Sequence, residues 1–254
     1  MAPRFAFLEH PGPLAFAHRG GAKRWPENTW AAFEHAVSLG FRYLETDVHV
    51  TLDGVVVAFH DHRLDRLTDR TGPIAGLRWN ELRRVRICGE HEIVRLDELL
   101  DAFPAQRFNI DPKHDAVVDE LARVITRGRA VDRVCIASFR DARLARMRRS
   151  IGPALCTSAG PLAIARLRAQ SFGVPGGRHA AACVQVPESF RALQLVDTRF
   201  VRAVRASGLA VHVWTVDDPQ AMHRLLDLGV GGIMTDQPEV LRDVLRSRGD
   251  WHPA

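Results

Sequence analysis

The chain has 254 residues, 46% of them apolar and 26% charged, which is enough to bury a core of its own and excludes the disordered class. Its 35 basic and 30 acidic residues leave a formal charge of +5, and all but two of the basic residues are arginine. The exceptions, Lys23 and Lys113, are worth locating, because arginine serves here wherever a generic cation will do.

No run of roughly 18 apolar residues is present to span a membrane as a helix. The opening MAPRFAFLEHPGPLAFAHRG lacks the apolar centre and small-residue cleavage site of a secretory signal, so the cytoplasm is the expected compartment. Cys88, Cys135, Cys156 and Cys183 are far apart, with no metal-binding spacing, and read as reduced thiols.

In chain order, the first predicted strand is Leu14–Ala17. Asn28 is the expected N-cap of a helix over TWAAFEHAVSLG that stops at Gly40. The second strand, Tyr43–Val50, runs into HVTLDGVVVAFHD, which reads as a β-hairpin with Asp53-Gly54 at its turn and a return strand over Val55–Phe59. A two-residue loop pairs position 47 with position 60; a bulged turn shifts that by one residue. From about residue 63 to 95 the sequence fits no simple strand-to-helix connection and reads as an insertion. Further strands are expected at Phe108–Asp111, Val134–Ser138, Ala154–Ser158, Ala182–Val186, Ala210–Val216 and Gly232–Thr235. Between the fourth and fifth, RLARMRR (Arg143 to Arg149) reads as a solvated helix face. After the seventh, Asp218-Pro219 opens a helix that Gly229 closes. Eight strand–helix units in a chain of this length predict an α/β fold, a (β/α)8 TIM barrel, spanning 1–254 as one domain.

Catalytic groups of such a barrel lie at the carboxyl ends of its strands. Those ends carry His18 and Arg19, Glu45 and Asp47, His60 and Asp61, Asp111 and Lys113, Trp214 and Asp236. Glu45 and Asp47 share one strand face. With Asp111 they form an all-oxygen set suited to one hard divalent cation, Mg²⁺ or Ca²⁺; the competing reading pairs these acids with Arg19 and Lys113 in a buried ion network. Positive charge at such a site suits a phosphate or phosphodiester, and His18 and His60 supply the acid and the base of ester cleavage. Trp214 is a candidate cover for the substrate. Glu27 is weighed for a catalytic role beside Asn28, Asp61 as the partner of His60 or a turn cap, and Asp236 as a helix N-terminal residue.

HRGGAKRWPENTWAAF (His18 to Phe33), YLETDVHVTLDGVVVAFHD (Tyr43 to Asp61), LDRLTDRTGPI (Leu64 to Ile74), VHVWTV (Val211 to Val216) and GVGGIMTDQP (Gly229 to Pro238) together resemble the glycerophosphodiester phosphodiesterase family. The resemblance implies a TIM barrel with a small insertion after the HD motif, and metal-dependent cleavage of glycerophosphodiesters to sn-glycerol 3-phosphate and an alcohol. It carries over His18 and His60 as the acid–base pair, Glu45, Asp47 and Asp111 as metal ligands, and Arg19 and Lys113 as phosphate contacts. Two departures stand out. The family's usual ExK strand is Asp111-Pro112-Lys113 here, and its usual GVDGI is GVGGI, with Gly231 in place of an acid. The expected partner is a small soluble diester, without nucleic acid or stable membrane insertion. The alternatives are cleavage of lysophospholipids or sphingomyelin, favoured by an exposed apolar edge at Trp79, Leu82 and Ile87, and a non-catalytic barrel that binds nucleic acid.

Overall fold

A computed structural model describes residues 5–177, 179–191 and 193–254. Eight parallel strands form the barrel wall: β1 Leu14–Ala17, β2 Tyr43–Val50, β3 Arg107–Pro112, β4 Val134–Ile136, β5 Cys156–Thr157, β6 Cys183–Pro187, β7 Ala210–Trp214 and β8 Gly232–Thr235. Hydrogen-bonded neighbours run from β6 through β7, β8, β1, β2, β3 and β4 to β5. A parallel bridge from Ser158 to Cys183 brings the two edges together. The barrel anticipated from the strand rhythm is therefore the observed fold.

Helices α1 Trp30–Ser38, α2 Leu96–Ala102, α3 Val117–Arg127, α4 Asp141–Ile151, α5 Pro161–Gln170, α6 Thr198–Ala206, α7 Pro219–Asp227 and α8 Pro238–Arg248 surround it. Each lays an apolar stripe on the wall. In α3, Val117, Val118, Leu121, Ala122 and Ile125 are buried at helical spacing, while Asp119, Glu120 and Arg123 face outward. Asp218 caps α7 as expected, accepting from the Ala221 amide at 2.7 Å, with Pro219 in the first turn.

The expected cap of α1 is off by one residue. Thr29 is the N-cap and accepts from the Ala32 amide, whereas Asn28 is fully buried and left-handed (φ 59°), its Oδ1 accepting from Thr46 at 2.7 Å. Asn28 thus ties the start of α1 to β2, and a side chain engaged there cannot also cap the helix.

Inside the barrel, residues of one parity stack in layers. Phe5 and Phe7 join Leu14, Phe16, Tyr43, Met234 and the thiols of Cys135, Cys156 and Cys183 in an interior cluster separate from the larger core between wall and helices. Above this lower layer the same parity delivers polar groups to the carboxyl ends, and it is this alternation that builds the mouth.

The β2 hairpin returns through Val56–Ala58, with Val48 opposite Ala58 and the Phe59 amide donating to the Asp47 carbonyl. Asp47 is thus opposite residue 59 and not residue 60. The reason is a three-residue loop, in which Thr51 N–H bonds the Val55 carbonyl and Gly54 adopts the left-handed conformation (φ 86°) that the bulge requires. The return strand pairs in turn with Val94–Arg95. Between them, residues 63–93 close over a small core of their own, including Val57, Phe59, Leu64, Ile74, Leu82 and Ile87. Leu82 and Ile87 are fully buried there and Trp79 is half-buried, so the apolar edge considered from the sequence is interior packing.

Pro112 is accommodated because the ladder bond to β2 is made by the next residue, Lys113 N–H to the Val48 carbonyl, and because β4 pairs with β3 only as far as Ile110.

Candidate active site

β1 ends in a tight turn at His18-Arg19-Gly20. Arg19 has a left-handed backbone (φ 52°), unusual for a residue with a side chain, and its N–H donates to Glu45 Oε2 at 2.9 Å. His18 sits between two acids: its Nδ1 donates to Asp236 Oδ1 at 2.7 Å, and its Nε2 lies 3.8 Å from Glu45 Oε2. Burial opposes the charged ring, but the carboxylates of Glu45 and Asp236 outweigh it and raise the His18 pKa.

Glu45 and Asp47 share a face of β2, and Asp111 is the register partner of Asp47 on β3. All three are buried. Burial and the Asp47 charge push the Glu45 carboxyl up to about 7, and burial likewise raises Asp111 against the pull of Lys113. Lys113 answers this crowding: its Nζ lies 2.6 Å from Asp47 Oδ1 and 2.9 Å from Asp111 Oδ2. Burial disfavours the ammonium, yet Asp111 and Asp47 prevail and its pKa is raised. Arg19 Nε adds a second cation 3.1 Å from Asp47 Oδ2.

His60 forms the second histidine–carboxylate pair, with Nδ1 donating to Asp61 Oδ1 at 2.6 Å. Asp61 is held in turn by Arg66 Nε at 2.6 Å, and that hydrogen bond brings its pKa down to about 2. Arg66 also reaches Glu27 at 2.7 Å, and Glu27 accepts from Arg19 Nη1 at 3.0 Å. A chain of charged groups therefore runs from His60 back to Arg19. His60 and Lys113 line one cleft of about 460 Å³, with His49, Asp61, His62 and Arg66. His49 Nε2 donates to the His60 carbonyl at 3.0 Å, and burial lowers its pKa.

Trp214 is half-buried at the end of β7, edge-on to the exposed Phe139 with ring centroids 5.7 Å apart. It stands on the side of the mouth away from Lys113. Asp236 is not part of the last helix, which begins at Pro238; it is held in position by Asp217 Oδ1, which accepts from its N–H at 2.8 Å and from the Thr235 hydroxyl at 2.7 Å. Asp217, Arg66 and His49 also escaped the sequence reading. For His49 a signal existed, since it follows Glu45 and Asp47 at the same strand parity. Arg66 carries no such signal, because only the fold of segment 63–93 brings it to Glu27.

Among the described residues, no three His, Cys, Asp or Glu side chains are gathered at metal-binding spacing, since Lys113 lies between Asp47 and Asp111. In kind, however, the donors fit a hard divalent cation. They are three buried carboxylates from neighbouring strands, two of them resisting ionisation, and Asp47 Oδ2 is buried with no hydrogen bond, only the Arg19 ion pair beside it.

Two histidines with carboxylate-held Nδ1 atoms stand beside Arg19 and Lys113 at the mouth of a TIM barrel, a setting compatible with phosphoric diester hydrolysis. Residues 18–240 match the model of the glycerophosphoryl diester phosphodiesterase family, and the chain belongs to that family. A Mycobacterium tuberculosis protein named "Probable glycerophosphodiester phosphodiesterase 2" is 41% identical, over 100% of this chain and 98% of its own. A human protein, "Lysophospholipase D GDPD1", is 29% identical over 91% of this chain and 85% of its own. A solved structure from Silicibacter pomeroyi DSS-3 superposes with a TM-score of 0.79 and 27% identity, covering 98% of this chain and 100% of that one.

Proposed function

We propose that the enzyme hydrolyses glycerophosphodiesters to sn-glycerol 3-phosphate and an alcohol, with His18 and His60 as its acid–base pair. The observation that carries this is the pairing of each Nδ1 with a carboxylate, Asp236 and Asp61, which fixes the tautomer and leaves each Nε2 to exchange a proton. Glu45, Asp47 and Asp111 would hold one divalent cation, Mg²⁺ or Ca²⁺, which supplies charge neutralisation at the phosphate oxygens.

Arg19 and Lys113 bind the phosphate and stabilise charge developing on it. One histidine removes the proton of the glycerol 2-hydroxyl as its oxygen attacks phosphorus. The other protonates the departing alcohol oxygen, and water then opens the cyclic phosphate. Among the described residues no helix is long and apolar enough to cross a membrane. The four free thiols suit a cytoplasmic enzyme.

A second reading, cleavage of lysophospholipids by the same pair, is favoured by one feature. Phe139, Leu162, Phe190 and Leu193 are exposed on the segments that follow β4, β5 and β6, opposite the charged half of the mouth. A nucleic-acid role finds no such support: Arg143 and Arg146 are bound to Asp115 and Asp119.

The test is choline release from glycerophosphocholine, which leaves glycerol 3-phosphate, and from lysophosphatidylcholine, which leaves its acylated counterpart lysophosphatidic acid, with EDTA and with each metal restored. Activity on the first substrate that EDTA abolishes and one ion restores supports the principal reading. Near-wild-type turnover by both His18→Ala and His60→Ala would overturn it.

A further inference from the structure

A cleft of about 580 Å³, larger than the catalytic one and sharing no lining residue with it, opens between the barrel and segment 63–93. Trp30, the first residue of α1, forms its barrel wall and packs against the outer core. Trp79 forms the opposite wall and packs against the small core of the segment. The cleft therefore lies on the seam between two separately packed units.

Its charge is lopsided, with Arg83, Arg84, Arg86 and Arg95 set against Glu92 and Glu98. Two of the arginines are engaged. Arg95 is bound by Asp97 and lies 3.5 Å from Glu98. Arg86 Nη1 donates to the carbonyls of Arg83 and Val85 at 2.9 and 3.1 Å, and its Nη2 is 3.4 Å from Glu92. Those backbone bonds fix the Arg86 guanidinium at the cleft, where Glu92 offsets part of its charge. Arg83 and Arg84 are exposed and have no ion pair or side-chain hydrogen bond among the described residues. Three cations on a concave wall concentrate positive potential, and the planar guanidinium fork matches phosphoryl oxygens.

We propose that this cleft is a second anion site, which takes the phosphate groups of a small phosphorylated molecule on Arg83, Arg84 and Arg86. The rest of the ligand lies against the indoles of Trp30 and Trp79, the latter shared with the Arg95 guanidinium 5.7 Å from its ring centroid. A free polyphosphate and a nucleoside diphosphate share this chemistry, and they differ in whether the indoles take part.

The experiment is calorimetric titration of the enzyme with inorganic pyrophosphate and, separately, with ADP, with glycerol 3-phosphate at saturation to cover the catalytic centre. The comparison protein is the Arg83→Ala/Arg84→Ala double variant. Its exposed substitutions should leave thermal midpoint and diesterase turnover unchanged. Metal chelation by either probe gives equal heat with both proteins and cancels. The expected result is salt-sensitive binding to the wild type that weakens on the order of tenfold or more in the variant. Tighter binding of ADP than of pyrophosphate assigns the indoles a contact, whereas equal affinities assign the phosphates alone. Absence of binding by both probes, or equal binding to both proteins, overturns the proposal.

Discussion

Asp236→Asn exchanges one carboxylate oxygen for an amide at the atom that holds His18. The Asp236 backbone N–H remains anchored to Asp217 at 2.8 Å, so the residue stays in place and only the contact to His18 Nδ1 at 2.7 Å changes character. A hydrogen bond to a charged partner is worth about 1.5–3 kcal/mol. At 1.36 kcal/mol per decade, its loss lowers kcat by roughly 10- to 150-fold. The same substitution removes a carboxylate that raises the His18 pKa, so the His18 limb of the pH–rate profile must move toward lower pH. Which limb moves assigns the role: the acidic limb if His18 is the base, the alkaline limb if it is the acid. Steady-state rates with glycerophosphocholine across the pH range measure both effects. Turnover within twofold of wild type, with neither limb displaced, would refute the claim that Asp236 positions His18.

Lys113→Arg should lower kcat/KM by at least about tenfold with little change in melting temperature, because a broad guanidinium cannot sit at 2.6 and 2.9 Å from two carboxylates of adjacent strands as a compact ammonium does. Asp61→Asn should cost about 0.5–1 kcal/mol of stability at neutral pH, as befits a partly exposed ion pair. Because the Asp61 pKa falls from 3.8 to about 2 on folding, that contribution is complete above the unfolded value and fades as pH drops toward 2, so denaturation midpoints of variant and wild type should converge in acid. Leu82→Ala, at a fully buried position in the small core beside Phe59, should destabilise by about 2–5 kcal/mol in denaturant titration. Since Phe59 precedes His60, it should also lower turnover. Phe139→Ser with Phe190→Ser should reduce choline release from lysophosphatidylcholine by on the order of tenfold while sparing glycerophosphocholine, as loss of apolar contact predicts.

The strand rhythm was enough to read the barrel, because period-two alternation and helix caps are local properties of the chain. It was also enough to place Glu45 with Asp47 and to bring His18, Lys113 and Asp111 to one end, since strand parity and the parallel order determine which ends meet. What the side chains do once there is a tertiary matter. Asp236 looks like a helix N-terminal residue because Pro238, which opens the helix, is only two positions further on, and nothing local shows that Asp236 at the end of β8 meets His18 at the end of β1. Asn28 has the residue type of a cap, but its side-chain oxygen accepts from Thr46 across the barrel wall, a contact that only the fold creates.

The hairpin register turned on a single left-handed glycine, which a sequence allows but does not compel. The apolar residues of segment 63–93 are indistinguishable in sequence from an exposed edge, and only their closure into a separate core decides that they are buried. The lysine count is the clearest case. Composition marks Lys23 and Lys113 alike, and the place of Lys113 between Asp47 and Asp111 follows from the register of β2 against β3, a long-range pairing that no local pattern encodes.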